Sequence, residues 1–437
     1  MTNNTKNKNF LAILKEKEIE LLINNNVEIG FPKKIADLTA DDLTPYPCVR
    51  EDLRNLIIFP IDCDTTNDRD DALSISYDNG IFHLGVHIAD VSAYVRHGSI
   101  LEKVARERST SIYSPTGKVI PMLPDILSQD LCSLNCKDRY AISTFIDINA
   151  KGKVINFTIT KSVIHPTVLG VYSEVDAVLN GTAGQAIKAK YSTVYDSLLL
   201  LKRLATILRR NRRKNGANIS VDTARPQIQI KNNQVLLSPP DDGIAHQIVE
   251  ESMIISNSCT AKFFKDNNLM SVFRVQDDLK HNAYYCSDHT YHTSLAVDYA
   301  HCTSPIRRFP DLINQTILSA FLMGCPADAL HYIFDSELEE VAELATKRYR
   351  RARDIQRSIE KFAYKEYLKN HKTEFRGKIC GLNSGDGTVF IRLDKLNLCL
   401  ATHYTAGAAA IGKQVFFKVN LSCAGSNYRA YDIRMAV

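Results

Sequence analysis

The sequence has no C-x-x-C pair, no internal repeat, no low-complexity block and no long apolar run. The Leu198–Leu201 run falls far short of the ~20 residues a membrane helix needs, so no membrane span is expected. The opening MTNNTKNKNF is polar and lacks the apolar stretch of a secretory signal. Eleven scattered cysteines, an odd number without framework spacing, argue against a disulfide scaffold and for reduced thiols in a cytoplasmic setting. Cys132 and Cys136, loosely spaced with no histidine beside them, make a poor zinc signal. A net charge of +5 on 437 residues is mild, so any surface for nucleic acid has to be local. The 45% hydrophobic content suits a globular chain of one large or two to three ordinary domains.

What is present is one unusual stretch, 57–73, read IIFPIDCDTTNDRDDAL. Five carboxylates, Asp62, Asp64, Asp68, Asp70 and Asp71, fall within ten residues. Two unit charges about 4 Å apart cost roughly 4 kcal/mol at an effective dielectric near 20. A cation between them removes that cost, and oxygen-seeking Mg²⁺ or Mn²⁺ suits carboxylates. The apolar run 57–59 and the alternating run 73–77 predict strands that mount the loop on a sheet edge. A calcium loop of the EF-hand kind starting at Asp62 is excluded. Its sixth position is Asn67 where glycine is needed, and its twelfth is Leu73 where a bidentate glutamate is needed. A plain solvated acidic loop is the competing reading.

Around this stretch the pattern alternates between helix and strand. Residues 10–25 have helical periodicity, with Leu11, Leu14, Ile19 and Leu22 near one face. Asp78-Asn79-Gly80 between alternating runs predicts a hairpin turn. A short helix is expected over 99–108, and strands over 140–148 and 154–164. One long amphipathic helix is expected over 185–214, ending in the basic run 209–214 and stopped by Gly216. Others are expected over 244–265, after Pro310, and over 336–370. In the first of these, Glu250 and Glu251 interrupt an apolar face of Ile248, Met253 and Ile254; the last carries Arg348, Arg350, Arg351, Arg353 and Arg357. From about Glu374, short strands with Gly-rich turns fit a small OB-type barrel, a fold used to bind single strands. A β-rich tail packed on the main domain is the alternative.

Several blocks occur in a fixed order: REDLRNL (50–56), the acidic loop, GVHIADVSAYV (85–95), IPMLPDILSQDLCSLN (120–135), VEESMIISN (249–257) and YAHCTSPIRRFPDLINQ (299–315). Together they resemble the ribonuclease II family of 3′→5′ exoribonucleases, which includes ribonuclease R. The resemblance implies an α+β chain: a mixed-sheet catalytic domain surrounded by helices over 50–372, then a small all-β OB-fold barrel over 373–437. Residues 1–49 are expected to form a short helical segment and linker. The resemblance assigns Asp62, Asp68, Asp70 and Asp71 as the acidic set, holding Mg²⁺ (or Mn²⁺), with Asp64 outside it. It gives Asp70 the role of activating or orienting water, and Arg307 that of the catalytic arginine. Tyr113, Tyr172, Glu250 or Glu251, and Arg308 are expected to contact RNA. The expected partner is single-stranded RNA, with no membrane and no nucleotide cofactor, acted on by a monomer.

The sequence also departs from the family. Larger members carry two cold-shock-type OB folds ahead of the catalytic domain. Here roughly 50 residues precede it, so a reduced RNA clamp is expected. The segment 276–303 is shorter than the family's helical insertion and holds His281, His289, His292 and His301, for which a metal role is an alternative. Gln356 stands where relatives commonly have a glutamate near the RNA path. Two rivals to the exoribonuclease remain: a catalytically weakened RNA-binding protein of the same fold, and a metal-dependent phosphohydrolase of small substrates.

Overall fold

Residues 10–117, 119–218, 226–231, 234–238, 243–370, 374–383, 388–394, 396, 398–403, 411–420 and 429–435 are described by a computed structural model. Its central sheet grows from the hairpin predicted at Asn79-Gly80. Both turn residues have positive φ, 48° and 81°, the two-residue geometry whose twist matches flanking antiparallel strands. The turn joins Asp71–Asp78 to Ile81–Ala89, pairing Asp71 with Ile88. Arg139–Asn149 and Val154–Ile164 extend the sheet antiparallel, and Glu51–Asp52 closes it as a short parallel edge. The opposite edge is Asp71–Asp78, so the acidic loop feeds straight into an edge strand.

Apolar side chains cover both faces of this sheet. On one, Leu73, Phe82, Leu84 and Val86 pack with Leu198, Leu201 and Ile248 from the helices Tyr195–Lys214 and Ile244–Asp266. On the other, Ala72, Ile142 and Ile164 pack with Phe309, Ile313 and Leu338 from the helices Phe309–Leu322 and Ala327–Asn370. Gly85 permits a buried polar rung between strands. A Cβ there would stand 2.2 Å from Ser74 Oγ and 2.8 Å from His87 Nε2. The fully buried His87 bridges Ser74 Oγ at 2.9 Å and Ser143 Oγ at 2.7 Å.

The C-terminal strands close into a barrel as the Gly-rich pattern predicts. Phe375–Asn383 pairs with both Thr388–Leu393 and Gln414–Asn420, and Cys399–His403 meets Arg429–Met435 in parallel. Its core of Ile379, Ile391, Leu400 and Phe417 also takes in Tyr364 and Leu368, so the barrel is seated on the end of the long helix. Among the described residues no helix is long and apolar enough to cross a membrane.

Four expectations are corrected. The helix expected over 185–214 breaks into Gln185–Lys190, a 3-10 turn at Ser192–Val194, and Tyr195–Lys214. The buried Tyr191 pins the break, its hydroxyl donating to Glu174 Oε2 at 2.8 Å and accepting Val171 N–H at 2.8 Å. The run 57–59 gives only one bridge, Phe59 to Leu73, because Pro60 has no N–H to continue a ladder. In the first helix, Phe10–Asn24, Ile19 is exposed and Glu18 is buried beside Leu14 and Leu22. The last helix begins at Ala327, nine residues before the expected Ser336, directly after Pro326, which is preorganised for a helix start.

Candidate active site

The acidic loop is folded so that its carboxylates converge. Ile61–Asp62 lies parallel to Gly170–Val171, an approach that glycine allows: a Cβ at Gly170 would stand 2.6 Å from Pro60 O. Asp62 Oδ1 accepts from Cys63 N–H at 2.7 Å and from Thr66 Oγ1 at 2.9 Å. Asp68 Oδ2 accepts the Tyr113 hydroxyl at 2.7 Å. Asp70 is 3% exposed; its Oδ1 accepts Ile306 N–H at 2.8 Å and its Oδ2 accepts Arg307 Nε at 3.0 Å. Asp62, Asp68, Asp70, Asp71, Tyr113, Tyr172, Arg307 and Arg308 all line one cleft of about 370 Å³. Asp64 is exposed and is not part of this lining.

A tight turn at 303–308 delivers the arginines. Arg308 N–H donates to Ser304 O at 3.0 Å, and Ser304 N–H donates to the buried Asp311 Oδ1 at 2.8 Å. Arg307 Nη2 donates to Ser304 Oγ at 2.9 Å, so two of its nitrogens are fixed and Nη1 has no hydrogen-bond partner among the described residues. Arg308 Nη2 is committed to Asp311 at 2.6 Å. Behind the turn, Asn257 Oδ1 accepts Cys302 N–H at 2.8 Å and Asn257 Nδ2 donates to Thr303 Oγ1 at 3.0 Å.

Burial dominates the electrostatics. It raises Asp62 above the ordinary carboxylate range and Asp70 well above it, against the pull of Arg307 on both. Burial, then the charge of Asp62, pushes Asp71 up to about 7. Oxygen donors that are buried together and repel one another form the donor set that a hard divalent cation relieves. Burial, then Asp71 and Asp62, also raises the Tyr172 hydroxyl. The Tyr172 ring stacks on His246 with centroids 3.6 Å apart.

Other expected residues lie elsewhere. Neither Glu250 nor Glu251 lines the cleft. Glu251, 1% exposed, takes a two-pronged contact from Arg212, Nε at 2.8 Å and Nη2 at 2.7 Å. Glu250 pairs with Arg209 at 2.7 Å and with Arg212 at 3.2 Å. The helical period explains this: Val249 and Met253 share the cleft-facing side, while the two glutamates turn toward the helix Tyr195–Lys214. The structure does not bring the four histidines together. His281 is bound to Asp278, and His301 lies between the Tyr285 hydroxyl and Arg308 Nη1. Burial pushes His292 down to about 4. His289 sits beside Asp288 and Cys286 on the surface, their ligand atoms within 4.8 Å of one another. Gln356 Nε2 donates to Glu360 on its own helix at 3.1 Å. Sequence reasoning missed Thr66, Asn257, Ser304 and Asp311 as supports. Asn257 and Asp311 carried a usable signal, since each is polar within an apolar helical run.

The RNB domain family profile matches residues 50–285 and 278–324. Ribonuclease R 1 of Lactococcus lactis is 30% identical over 420 residues, which cover 82% of this chain and 51% of that protein. The chain thus spans about half the length of that curated relative. Among solved structures, Mycoplasma genitalium RNase R in complex with ribose methylated single-stranded RNA has the same fold. Its TM-score is 0.81 at 20% identity, covering 97% of this chain and 78% of that one. Yeast Ssd1, described as a pseudonuclease, matches with a TM-score of 0.67 at 16% identity, covering 89% of this chain and 55% of that one. The blocks in order, the domain profile and the shared fold agree: this chain belongs to the RNB-domain family of ribonucleases II and R.

Proposed function

We propose that this chain is a hydrolytic 3′→5′ exoribonuclease that shortens single-stranded RNA and releases nucleoside 5′-monophosphates. The observation that carries the reading is the pairing of buried Asp70 with Arg307 in a cleft shared with Asp62, Asp68 and Asp71. Those four carboxylates would hold Mg²⁺ or Mn²⁺, which when bound would neutralise phosphate charge and make a bound water more acidic.

The chain's own residues supply the rest. Asp70 and Ser304 hold Arg307 so that its remaining edge can meet a phosphate oxygen, a planar fork that lysine cannot reproduce. Asp70, made more basic by burial, keeps lone-pair capacity to take the proton of the attacking water. Tyr113 and Tyr172 offer ring faces on which bases stack whatever the sequence.

The likeness to a pseudonuclease favours a second reading, an RNA-binding protein without turnover. A 5′-labelled single-stranded oligoribonucleotide incubated with Mg²⁺ separates the two. A ladder shortening from the 3′ end, abolished by EDTA, supports the nuclease; intact but bound RNA supports the second reading.

A further inference from the structure

The helix Phe10–Asn24 lies outside the residues that match the family profile, 50–324. Its buried side carries Phe10, Leu14 and Leu22, and among them a carboxylate, Glu18, 2% exposed. A buried carboxylate is costly unless hydrogen-bonded. Glu18 Oε2 accepts from Thr116 Oγ1 at 2.6 Å. Thr116 stands in the turn of a small hairpin that pairs Ile112 with Ile120 and Tyr113 with Val119. Three residues before Thr116, on the strand that enters this turn, Tyr113 donates to Asp68 Oδ2 at 2.7 Å.

Two hydrogen bonds on one hairpin therefore connect the first helix to the acidic cleft. Strands of two residues are too short to hold their own orientation, so the support has to come from outside. Apolar packing supplies part of it: Ile112 and Ile120 share a core with Phe10, Leu14, Ile355 and Ile359. The chain beyond the helix is strapped down as well. Arg351 Nη1 donates to Asn25 O at 3.0 Å, and Arg108 donates to Gly30 O while its guanidinium lies 4.0 Å over Phe31. One polar contact that reaches the hairpin turn is Glu18 to Thr116.

We propose that Glu18 is a positioning residue of the cleft: through Thr116 it fixes the 112–120 hairpin, and so holds the Tyr113 ring and hydroxyl where the terminal nucleotide binds. This deepens the exoribonuclease reading and rests on it. The test compares Thr116→Val and Glu18→Leu, which remove the bond, with Thr116→Ser and Glu18→Gln, which keep an oxygen donor or acceptor in place. Two quantities are read on the full chain: amide hydrogen exchange in 112–120, and kcat, KM and final product length on single-stranded RNA. The expected result is exchange in the hairpin faster by on the order of tenfold in the first pair. kcat should fall by a similar factor or the final product should change length, with thermal midpoints close to wild type and both properties restored in the second pair. Unchanged exchange overturns the proposal, and so does faster exchange with unchanged kcat and product length. A wild-type chain that binds but does not degrade RNA overturns the functional reading instead, and hairpin exchange alone then decides whether the latch exists.

Discussion

Removing Arg212 and removing Glu251 should have unequal costs, and removing both should cost little. Arg212→Met strips two hydrogen bonds, at 2.8 and 2.7 Å, from a carboxylate that is 1% exposed. Among the described residues, Arg209 Nη1, 3.6 Å from Glu251 Oε1, is the ion-pair partner that remains beside it. Breaking a buried pair costs about 3–5 kcal/mol, and the residual attraction to Arg209 places this case near the lower end, about 3 kcal/mol. Glu251→Leu is milder, because Arg212 keeps Glu250 Oε1 at 3.2 Å; its cost should be about 1–2 kcal/mol. The double variant Arg212→Met/Glu251→Leu, which leaves no unpaired charge between them, should lie within about 1 kcal/mol of wild type. Urea unfolding of the four proteins at constant m gives the cycle, with an expected coupling of roughly 4 kcal/mol. A single-variant cost below about 1 kcal/mol for Arg212→Met, or additive costs, would refute the reasoning. The same cycle tests the RNA role expected of Glu251. Because this residue faces away from the cleft, the double variant should bind RNA as wild type does. A tenfold loss of affinity at wild-type stability would restore Glu251 as an RNA contact.

Two further outcomes follow from the sheet. Gly85→Ala places a methyl 2.2 Å from Ser74 Oγ and should cost roughly 1–3 kcal/mol in urea unfolding; a neutral effect would mean the Ser74–His87–Ser143 rung is not packed as described. Burial holds His87 down at about 3, so below pH 6.5 the unfolded chain takes a proton that the folded chain refuses. Its contribution is present above that pH and is lost as pH falls, by about 2 kcal/mol at pH 5. Wild type should therefore lose about that much more than His87→Gln between pH 7.5 and 5, a comparison that cancels the raised carboxylates, which shift stability the opposite way. Equal losses in the two proteins would contradict a neutral buried His87.

Much of this architecture is legible locally. Asn79-Gly80 names its own turn, the helix Ile244–Asp266 was expected over 244–265, and the barrel follows from Gly-rich turns between short strands. Apolar period and turn chemistry act over a few residues, so a sequence states them directly. The break at Tyr191 was hidden because apolar residues keep a helical period through it, while the residues that fix it, Val171 and Glu174, lie well upstream. The site divides in the same way. Crowded carboxylates marked the loop as a candidate site, but their partner turn at 303–308 is more than 230 residues away and was reached only through resemblance. Glu250 and Glu251, expected to contact RNA, do not line the cleft. The helical period turns them onto Arg209 and Arg212, which lie far from them in sequence on another helix.

The most direct measurement compares wild type with Asp70→Asn on one labelled single-stranded RNA, reading binding and cleavage in the same samples with Mg²⁺. The substitution keeps the shape beside Ile306 N–H and Arg307 but removes the charge and the base. The account predicts RNA binding retained within a few-fold and cleavage reduced by about 10²-fold or more, as for loss of a general base. Cleavage by Asp70→Asn at the wild-type rate would contradict it, and so would a wild-type protein that binds RNA and leaves it whole.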